Sequence, residues 1–376
     1  MSDFPTADAP VTDLWTRLAA ADKPLVLYGM GDGADKITDE LARRGLSVAD
    51  YFASDSFVRG QFFRGRRVMT LSEIREKYAS FIVLVAFASS RPEVIEQIRA
   101  LDRTCELYLP DVPVIGEGVF DARYYEKNLS FLKEAREALF DEESRLLFDN
   151  VIAFKLSGRF LFLERAVSDK NEILTRVLRP ERYCVCADLG AYTGDSVREF
   201  LRCFPHLSRI LALEPDIRNF KKLTRYVEEN ELSFVEPYNL AAGAENGEML
   251  FLAGGNRGAR TERRSEDKAE KETGGGRRIK GNSSVRVCTL DSLLLGEQVD
   301  FIKYDVEGNE YEALQGSLST IRKYAPDLLV SLYHRNEDLF RLILLVKSFG
   351  KHYRLYLRRF AGFPAWDLNL YAVSER

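Results

Sequence analysis

The sequence predicts an α/β protein built from two Rossmann-type units joined by a helical connector. Three observations predict it. Apolar strand-like runs alternate with amphipathic helical patterns over about the first hundred residues, uninterrupted helical periodicity replaces them between about 116 and 180, and the alternation resumes at Tyr183. Alternation of this kind requires a parallel sheet covered by helices on both faces. The chain of 376 residues accommodates two or three domains of about 150 residues. We divide it into a Rossmann-like unit at 1–115, a helical connector at 116–180 and a second α/β domain at 181–376.

The opening stretch "MSDFPTADAPVTDLW" has no basic n-region and no apolar core, and no later run approaches ~18 uncharged apolar residues. A cytoplasmic protein without membrane insertion is expected. In "KPLVLYGMGDGADKITDELARRGLSVADYFASD", Leu25 to Tyr28 form a strand, Gly29, Gly31 and Gly33 punctuate a turn, and Ile37, Leu41 and Leu46 mark a helical stripe before a second strand. "FIVLVAF" and "RPEVIEQIRAL" supply the next strand and helix. The turn "GMGDGA" approximates a dinucleotide fingerprint, with Asp55 about 22 residues past Gly33 as a ribose partner. Its spacing departs from GxGxxG, so tight strand-to-helix packing in a scaffold unit stands beside the nucleotide reading.

"DARYYEKNLSFLKEAREALFDEESRLLFDNVIAFKLSG" carries helical periodicity with few breakers and forms the connector. The second run then reads "CVCADLGAYTGDSVREFL", "RILALEPDIRNFKKLTRYV", "SFVEPYNLAAG", "VDFIKYDVEG" and "PDLLVSLYH". Each is an apolar strand whose C-terminal end changes abruptly in character, most often to glycine or acidic residues, and ligands of open α/β sheets bind at such ends. "YRLYLRRF" and "LNLYAVSE" follow one another without a helix between them, which predicts an antiparallel hairpin at one sheet edge. The stretch 254–281 has almost no apolar side chains and is expected to be a mobile insertion, either a solvated loop or a basic flap over an anionic substrate.

A charged fraction of 30% and a net charge of -4 are those of an ordinary globular protein and argue against a dedicated nucleic-acid or anionic-membrane binder. The five cysteines, Cys105, Cys184, Cys186, Cys203 and Cys288, are odd in number and lack CxxC pairing, which suits reduced thiols.

"DLGAYTGD" places Asp188 at the close of a strand, with Gly190 and Gly194 in the loop and Asp195 opening the next helix. Such a loop lets backbone approach a ligand while Asp188 remains available to a cation. Asp188 and Asp195 would repel a pyrophosphate, so S-adenosylmethionine, with an ammonium and no pyrophosphate, suits the loop better than a dinucleotide. Glu214 in "LALEPD" lies where a ribose diol would accept an acidic partner.

Taken in order, "ADLGAYTGDSVREF", "LALEPDIRNFKKL", "VRVCTLDSLL", "VDFIKYDVEGNEYEALQG" and "LLVSLYH" resemble the FkbM family of S-adenosylmethionine-dependent methyltransferases over about residues 183–376. The resemblance implies a class I methyltransferase fold, a seven-stranded sheet with one antiparallel strand. It also implies O-methylation, commonly of sugars, glycans or secondary metabolites.

Methyl transfer to a hydroxyl needs an aligned nucleophile and a proton acceptor. Asp305 closes the strand "VDFIKYD", Glu307 follows in the turn, and His334 closes the neighbouring strand "LLVSLYH". These are the expected catalytic residues. Alternation puts Lys303 on the side of Asp305 as a structural ion-pair partner, and Glu310 suits the first turn of a helix through the dipole alone. As oxygen and nitrogen donors, Asp305, Glu307 and His334 also suit a divalent cation, but their spacing is not a recognised ligand motif and the metal is left undecided. His206 and His352 read as surface residues. No "NPPY"-like stretch follows the fourth strand, which favours a hydroxyl over an exocyclic amine.

The expected assignment is therefore a cytoplasmic S-adenosylmethionine-dependent O-methyltransferase acting on a small-molecule or glycan acceptor, with no nucleic-acid partner and with homo-oligomerisation left open. Asp188, Gly190, Gly194 and Asp195 would hold the donor's amino-acid end, Glu214 its ribose, and Asn239 in "NLAAG" would border the adenine. The competing readings are a scaffold protein with a degenerate methyltransferase domain and a sugar oxidoreductase using NAD in the first unit.

Overall fold

The computed structural model describes residues 12–252, 260–262 and 282–375. The chain forms two compact units. The first runs through Arg136 and adds Asp141–Ser168 and Leu357–Leu368, and the second holds Glu137–Phe140, Asp169–Tyr356 and the chain from Asn369 onward.

In the first unit the apolar runs make a parallel sheet in the order Val48–Phe52, Leu25–Tyr28, Ile82–Val85, Glu106–Tyr108. All four residues of both central strands are buried, as expected of strands covered on both faces. The helix Asp32–Arg43 adds Ala34, Ile37 and Leu41 to the core that the sheet shares. Its approach depends on Gly33, where a Cβ would stand 2.5 Å from the Ala86 carbonyl oxygen. That glycine of the "GMGDGA" turn thus serves close helix-to-strand packing. Beyond the strand Ile82–Val85, Ser89 and Phe363 exchange two backbone hydrogen bonds, and the Phe363 ring packs edge-on against Phe87. Most of the segment 116–180 is helical, in Ala122–Ala138, Glu142–Ser157 and Phe160–Arg165 among others. Asp141 caps the second of these by accepting from the Ser144 N–H.

The second unit is organised on a seven-stranded sheet in the order Tyr353–Arg359, Leu368–Ser374, Asp327–Ser331, Phe301–Tyr304, Val185–Leu189, Arg209–Leu213, Val235–Tyr238. Numbered along the chain, the order is six-seven-five-four-one-two-three. Leu368–Ser374 pairs antiparallel with Asp327–Ser331, whereas the pairs from Asp327–Ser331 across to Val235–Tyr238 are parallel. This is the class I methyltransferase arrangement expected from the sequence. The two strands read as a hairpin lie side by side at the sheet edge.

Tyr183, Phe200, Phe204 and Phe301 pack one face of the sheet with ring centroids 4.8 to 5.6 Å apart. Burying a side chain such as Phe301, 1% exposed, contributes roughly 1.5–3 kcal/mol. At the N-terminal end of its strand, buried Asp327 accepts from Arg179, from the Tyr183 hydroxyl at 2.6 Å and from the Ser374 N–H at 2.7 Å. This network locks the sheet end opposite the candidate site.

A small second sheet, not anticipated from the sequence, orders Ala241–Ala242, Asn282–Cys288, Gly247–Leu252 and Arg260–Glu262. Apart from Arg260–Glu262, the insertion expected at 254–281 lies outside the described residues. All five cysteines are free thiols. Among the described residues no helix is long and apolar enough to cross a membrane.

Candidate active site at the carboxyl ends of the strands

Strand order reverses between Val185–Leu189 and Phe301–Tyr304, which are hydrogen-bonded neighbours. The crevice outside their carboxyl ends is where ligands bind in sheets of this type. Asp188, Lys303 and Asp305 meet there. Asp188 is fully buried and its Oδ1 accepts from the Lys303 ammonium at 3.3 Å, while Oδ2 has no hydrogen-bond partner. Lys303 also donates to the Gly190 carbonyl and stands 3.4 Å from Asp305 Oδ2. Burial pushes the Asp188 carboxyl up, opposed by Lys303. Burial works against the Lys303 charge, but Asp188 and Asp305 outweigh it and hold the side chain as an ammonium.

The loop after Asp188 is shaped by Gly190, at φ +95. A Cβ at Gly190 would stand 1.9 Å from the Asp305 carbonyl oxygen. The glycine therefore lets the two strand-end loops touch. Gly194, also at positive φ, caps the helix Asp195–Cys203, on which Asp195 is exposed. Glu214, just beyond Arg209–Leu213 and 6% exposed, accepts from the Tyr192 and Asp216 N–H groups at 2.8 and 2.9 Å. Burial raises its pKa to about 7, against the pull of those two backbone bonds. Asn239 donates its amide to the Glu214 and Pro215 carbonyls, fixing the loop that carries Glu214.

On the other side, Asp305, Glu307 and His334 come together. His334 Nε2 lies 3.7 Å from Asp305 Oδ1 and 3.4 Å from Glu307 Oε2, and Nδ1 lies 2.9 Å from Glu310 Oε1. Tyr333 donates its hydroxyl to Asp305 Oδ1 at 3.1 Å. Burial raises Asp305, yet Lys303 and then His334 overcome it and hold the carboxylate below its usual range. Burial lowers His334, but Glu310, Asp305 and Glu307 raise it on balance to about 10. An imidazole so surrounded by carboxylates is held toward its protonated form. Glu307 differs: its side chain is 40% exposed, and burial lifts it to about 7, with His334 opposing and Asp305 and Glu310 assisting. It sits at φ +53, a backbone state that costs a residue with a side chain about 1–3 kcal/mol and that clusters at functional sites.

Sequence reasoning gave Glu310 only a helix-dipole role and missed Asp338. Glu310, 1% exposed, folds back so that Oε1 accepts from the Val306 and Gly308 N–H groups and fixes the turn carrying Glu307. Its position as the first helical residue after "DVEGN" is the signal that a folded-back carboxylate was available. Asp338, also buried, accepts from the Arg335 N–H. Burial and then Glu310 push its carboxyl well up.

Residues 188–363 match the family described as "Methyltransferase FkbM domain". A solved structure, the methyltransferase FkbM from Methylobacillus flagellatus KT, is 18% identical, with coverage of 98% of this chain and 96% of that one at a TM-score of 0.71. That likeness establishes a shared fold over nearly the whole chain. Two further structures are similar at TM-scores under 0.5. The rRNA methylase from Streptococcus thermophilus is 11% identical over 55% of this chain and 93% of its own, at 0.34. Aeropyrum pernix fibrillarin, solved with natively bound S-adenosyl-L-methionine, is 12% identical over 52% and 69%, at 0.32. No curated protein matches the sequence. With the sheet order and the match over the strand-end motifs in agreement, residues 188–363 are similar to the methyltransferase FkbM domain and the chain is a methyltransferase.

Proposed function

We propose that this enzyme transfers the methyl group of S-adenosylmethionine to a hydroxyl of a sugar, glycan or glycosylated metabolite in the cytoplasm. The observation that carries the reading is the division of charge at the strand ends. Two deeply buried carboxylates, Asp188 and Glu214, stand at the carboxyl ends of the first two strands, and a half-exposed one, Glu307, stands in the turn after the fourth. Asp188 suits the donor's ammonium because its Oδ2 is buried without a partner, and a buried carboxylate oxygen is seldom left unpaired. Glu214 keeps acceptor capacity for a ribose diol beyond the two backbone bonds that orient it.

When bound, S-adenosylmethionine supplies an electrophilic methyl carbon on a sulfonium. Glu307 takes the proton of the acceptor hydroxyl as the oxygen's electron pair forms the new O–CH3 bond and the C–S pair returns to sulfur. A base with a pKa near the working pH is the effective one, and Glu307 meets that condition while Asp305 and His334 do not. Asp305 stays ionised and orients the acceptor by accepting a second hydroxyl, and His334 holds Asp305 and Glu307 in place. An acidic lip of this kind favours polyol acceptors, which donate hydrogen bonds, over nucleic acids, whose phosphates it repels. The first unit is read as a scaffold, since Gly33 of its glycine turn serves packing against Ala86. The reading is tested with Glu307→Gln: donor binding measured calorimetrically should persist while methyl transfer to a sugar acceptor falls by about 10²–10⁴-fold. Full transfer activity in that variant would remove Glu307 as the base.

A further inference from the structure

We propose that Asp305, Glu310 and His334 form a binding site for one divalent transition-metal cation of the Mn2+ class. One ligand atom from each residue can be chosen so that all lie within 4.8 Å of one another. An ion about 2.0–2.2 Å from each ligand holds ligand atoms at most about 4.4 Å apart, so the side chains need settle by only a few tenths of an ångström.

The independent sign of a missing occupant is what these buried groups lack. His334 is 0% exposed and Glu310 1%, yet both imidazole nitrogens and Glu310 Oε2 have no hydrogen-bond partner. Buried polar atoms are paired in the great majority of cases. Glu310 Oε1 is committed to the Val306 and Gly308 N–H groups, which fixes the carboxylate and leaves Oε2 over. The imidazole stands 2.9 to 3.7 Å from oxygens of Glu310, Glu307 and Asp305 without hydrogen-bond geometry to any. Tyr333 and Lys303 hold the two Asp305 oxygens from outside, as orienting partners of a ligating carboxylate do.

The charge balance points the same way. Asp305, Glu307 and Glu310 surround the single imidazole of His334. A divalent ion would offset this excess of carboxylates. One imidazole with two carboxylates suits Mn2+, Fe2+ or Zn2+ better than Mg2+. Three protein ligands leave coordination positions open, and an acceptor oxygen in one of them would be polarised by the ion. That role in catalysis rests on the methyl-transfer reading above, whereas the binding itself does not.

The test uses the full chain, stripped with a chelator and titrated with MnCl2 in the absence of donor and acceptor. Free Mn2+ is read by electron paramagnetic resonance. Saturable binding of one ion per chain is expected, with ¹⁴N modulation from a coordinated imidazole in the pulsed spectrum of the wild type. Glu310→Gln should weaken binding by at least about tenfold, with its circular dichroism spectrum checked for folding. If that variant does not fold, the ¹⁴N signal of the wild type decides alone. Absence of saturable binding of both Mn2+ and Zn2+ at millimolar concentration would overturn the proposal and leave His334 as an ion-paired imidazolium. So would a bound ion without ¹⁴N modulation, or unchanged affinity in a folded Glu310→Gln protein. Methyl transfer is assayed separately, with and without chelator, so failure of the ion site and failure of the methyl-transfer reading give different results.

Discussion

Replacing Gly190 by alanine should disable the site from its backbone. The new Cβ would stand 1.9 Å from the Asp305 carbonyl oxygen, about 1.5 Å inside the 3.4 Å at which ordinary contact begins. The neighbouring atom is backbone, so no side-chain rotation relieves the clash. Overpacking of this severity costs about 1–3 kcal/mol, and holding alanine at φ +95 costs about 1–3 kcal/mol more. The combined loss of about 2–6 kcal/mol corresponds to a fall in Tm of roughly 4–24 °C for a unit of this size. Gly296→Ala is the control, because Gly296 has a similar φ of +84 and its nearest neighbour is the flexible end of Lys323 at 3.9 Å. It should show the backbone strain alone. In any folded Gly190→Ala protein, Asp305 must shift by about an ångström, and misplacement on that scale costs about 10²-fold in rate. Thermal melts of the two variants with turnover of a sugar acceptor check both parts. A Gly190→Ala protein that melts with the control and turns over like the wild type would refute the claim that the glycine exists to let the two loops touch.

Lys303→Met removes the ammonium between Asp188 and Asp305 and leaves buried carboxylates uncompensated; a loss of about 3–5 kcal/mol is expected in denaturant titration. Asp327→Ala removes the buried carboxylate to which Arg179 and Tyr183 donate at the opposite sheet end and should cost a similar about 3–5 kcal/mol while leaving kcat of the folded fraction unchanged. The Glu214 carboxyl, raised from 4.5 to about 7 by burial, binds its proton more tightly in the folded protein. Its contribution is fully present below pH 4.5 and lost as pH rises through about 7, up to about 3 kcal/mol. Donor affinity should move oppositely, rising through pH 7 as the carboxylate forms, and both trends should vanish in Glu214→Gln when melts and calorimetry are compared across pH 5 to 8.

The parallel sheets were legible because buried central strands are uninterrupted apolar runs, as in Leu25–Tyr28 and Ile82–Val85, and the glycine turns and acidic strand ends marked the site side. Asp305, Glu307 and His334 were findable because each closes or follows such a run. Their division of labour was not, since it depends on burial: His334 is enclosed by three carboxylates, and Glu307 alone reaches solvent to this extent. Gly190 reads as a ligand loop in sequence, and its real neighbour, Asp305, lies more than a hundred residues away. Glu310 reads as a dipole residue because local sequence does not show the turn closing over it. The small sheet escaped notice because Gly247–Leu252 pairs with Asn282–Cys288 across the polar insertion. Likewise, Leu357–Leu368 belongs with the first unit through contacts such as Ser89 with Phe363, which no local pattern signals.

Isothermal titration of the full chain with S-adenosylhomocysteine at pH 8 tests the central claim most directly. One site per chain is expected, weakened by Glu214→Ala by roughly 10–100-fold, the worth of hydrogen bonds to a charged group. No heat of binding at millimolar ligand, or an affinity indifferent to Glu214, would contradict the assignment of the strand-end crevice as the methyl-donor site.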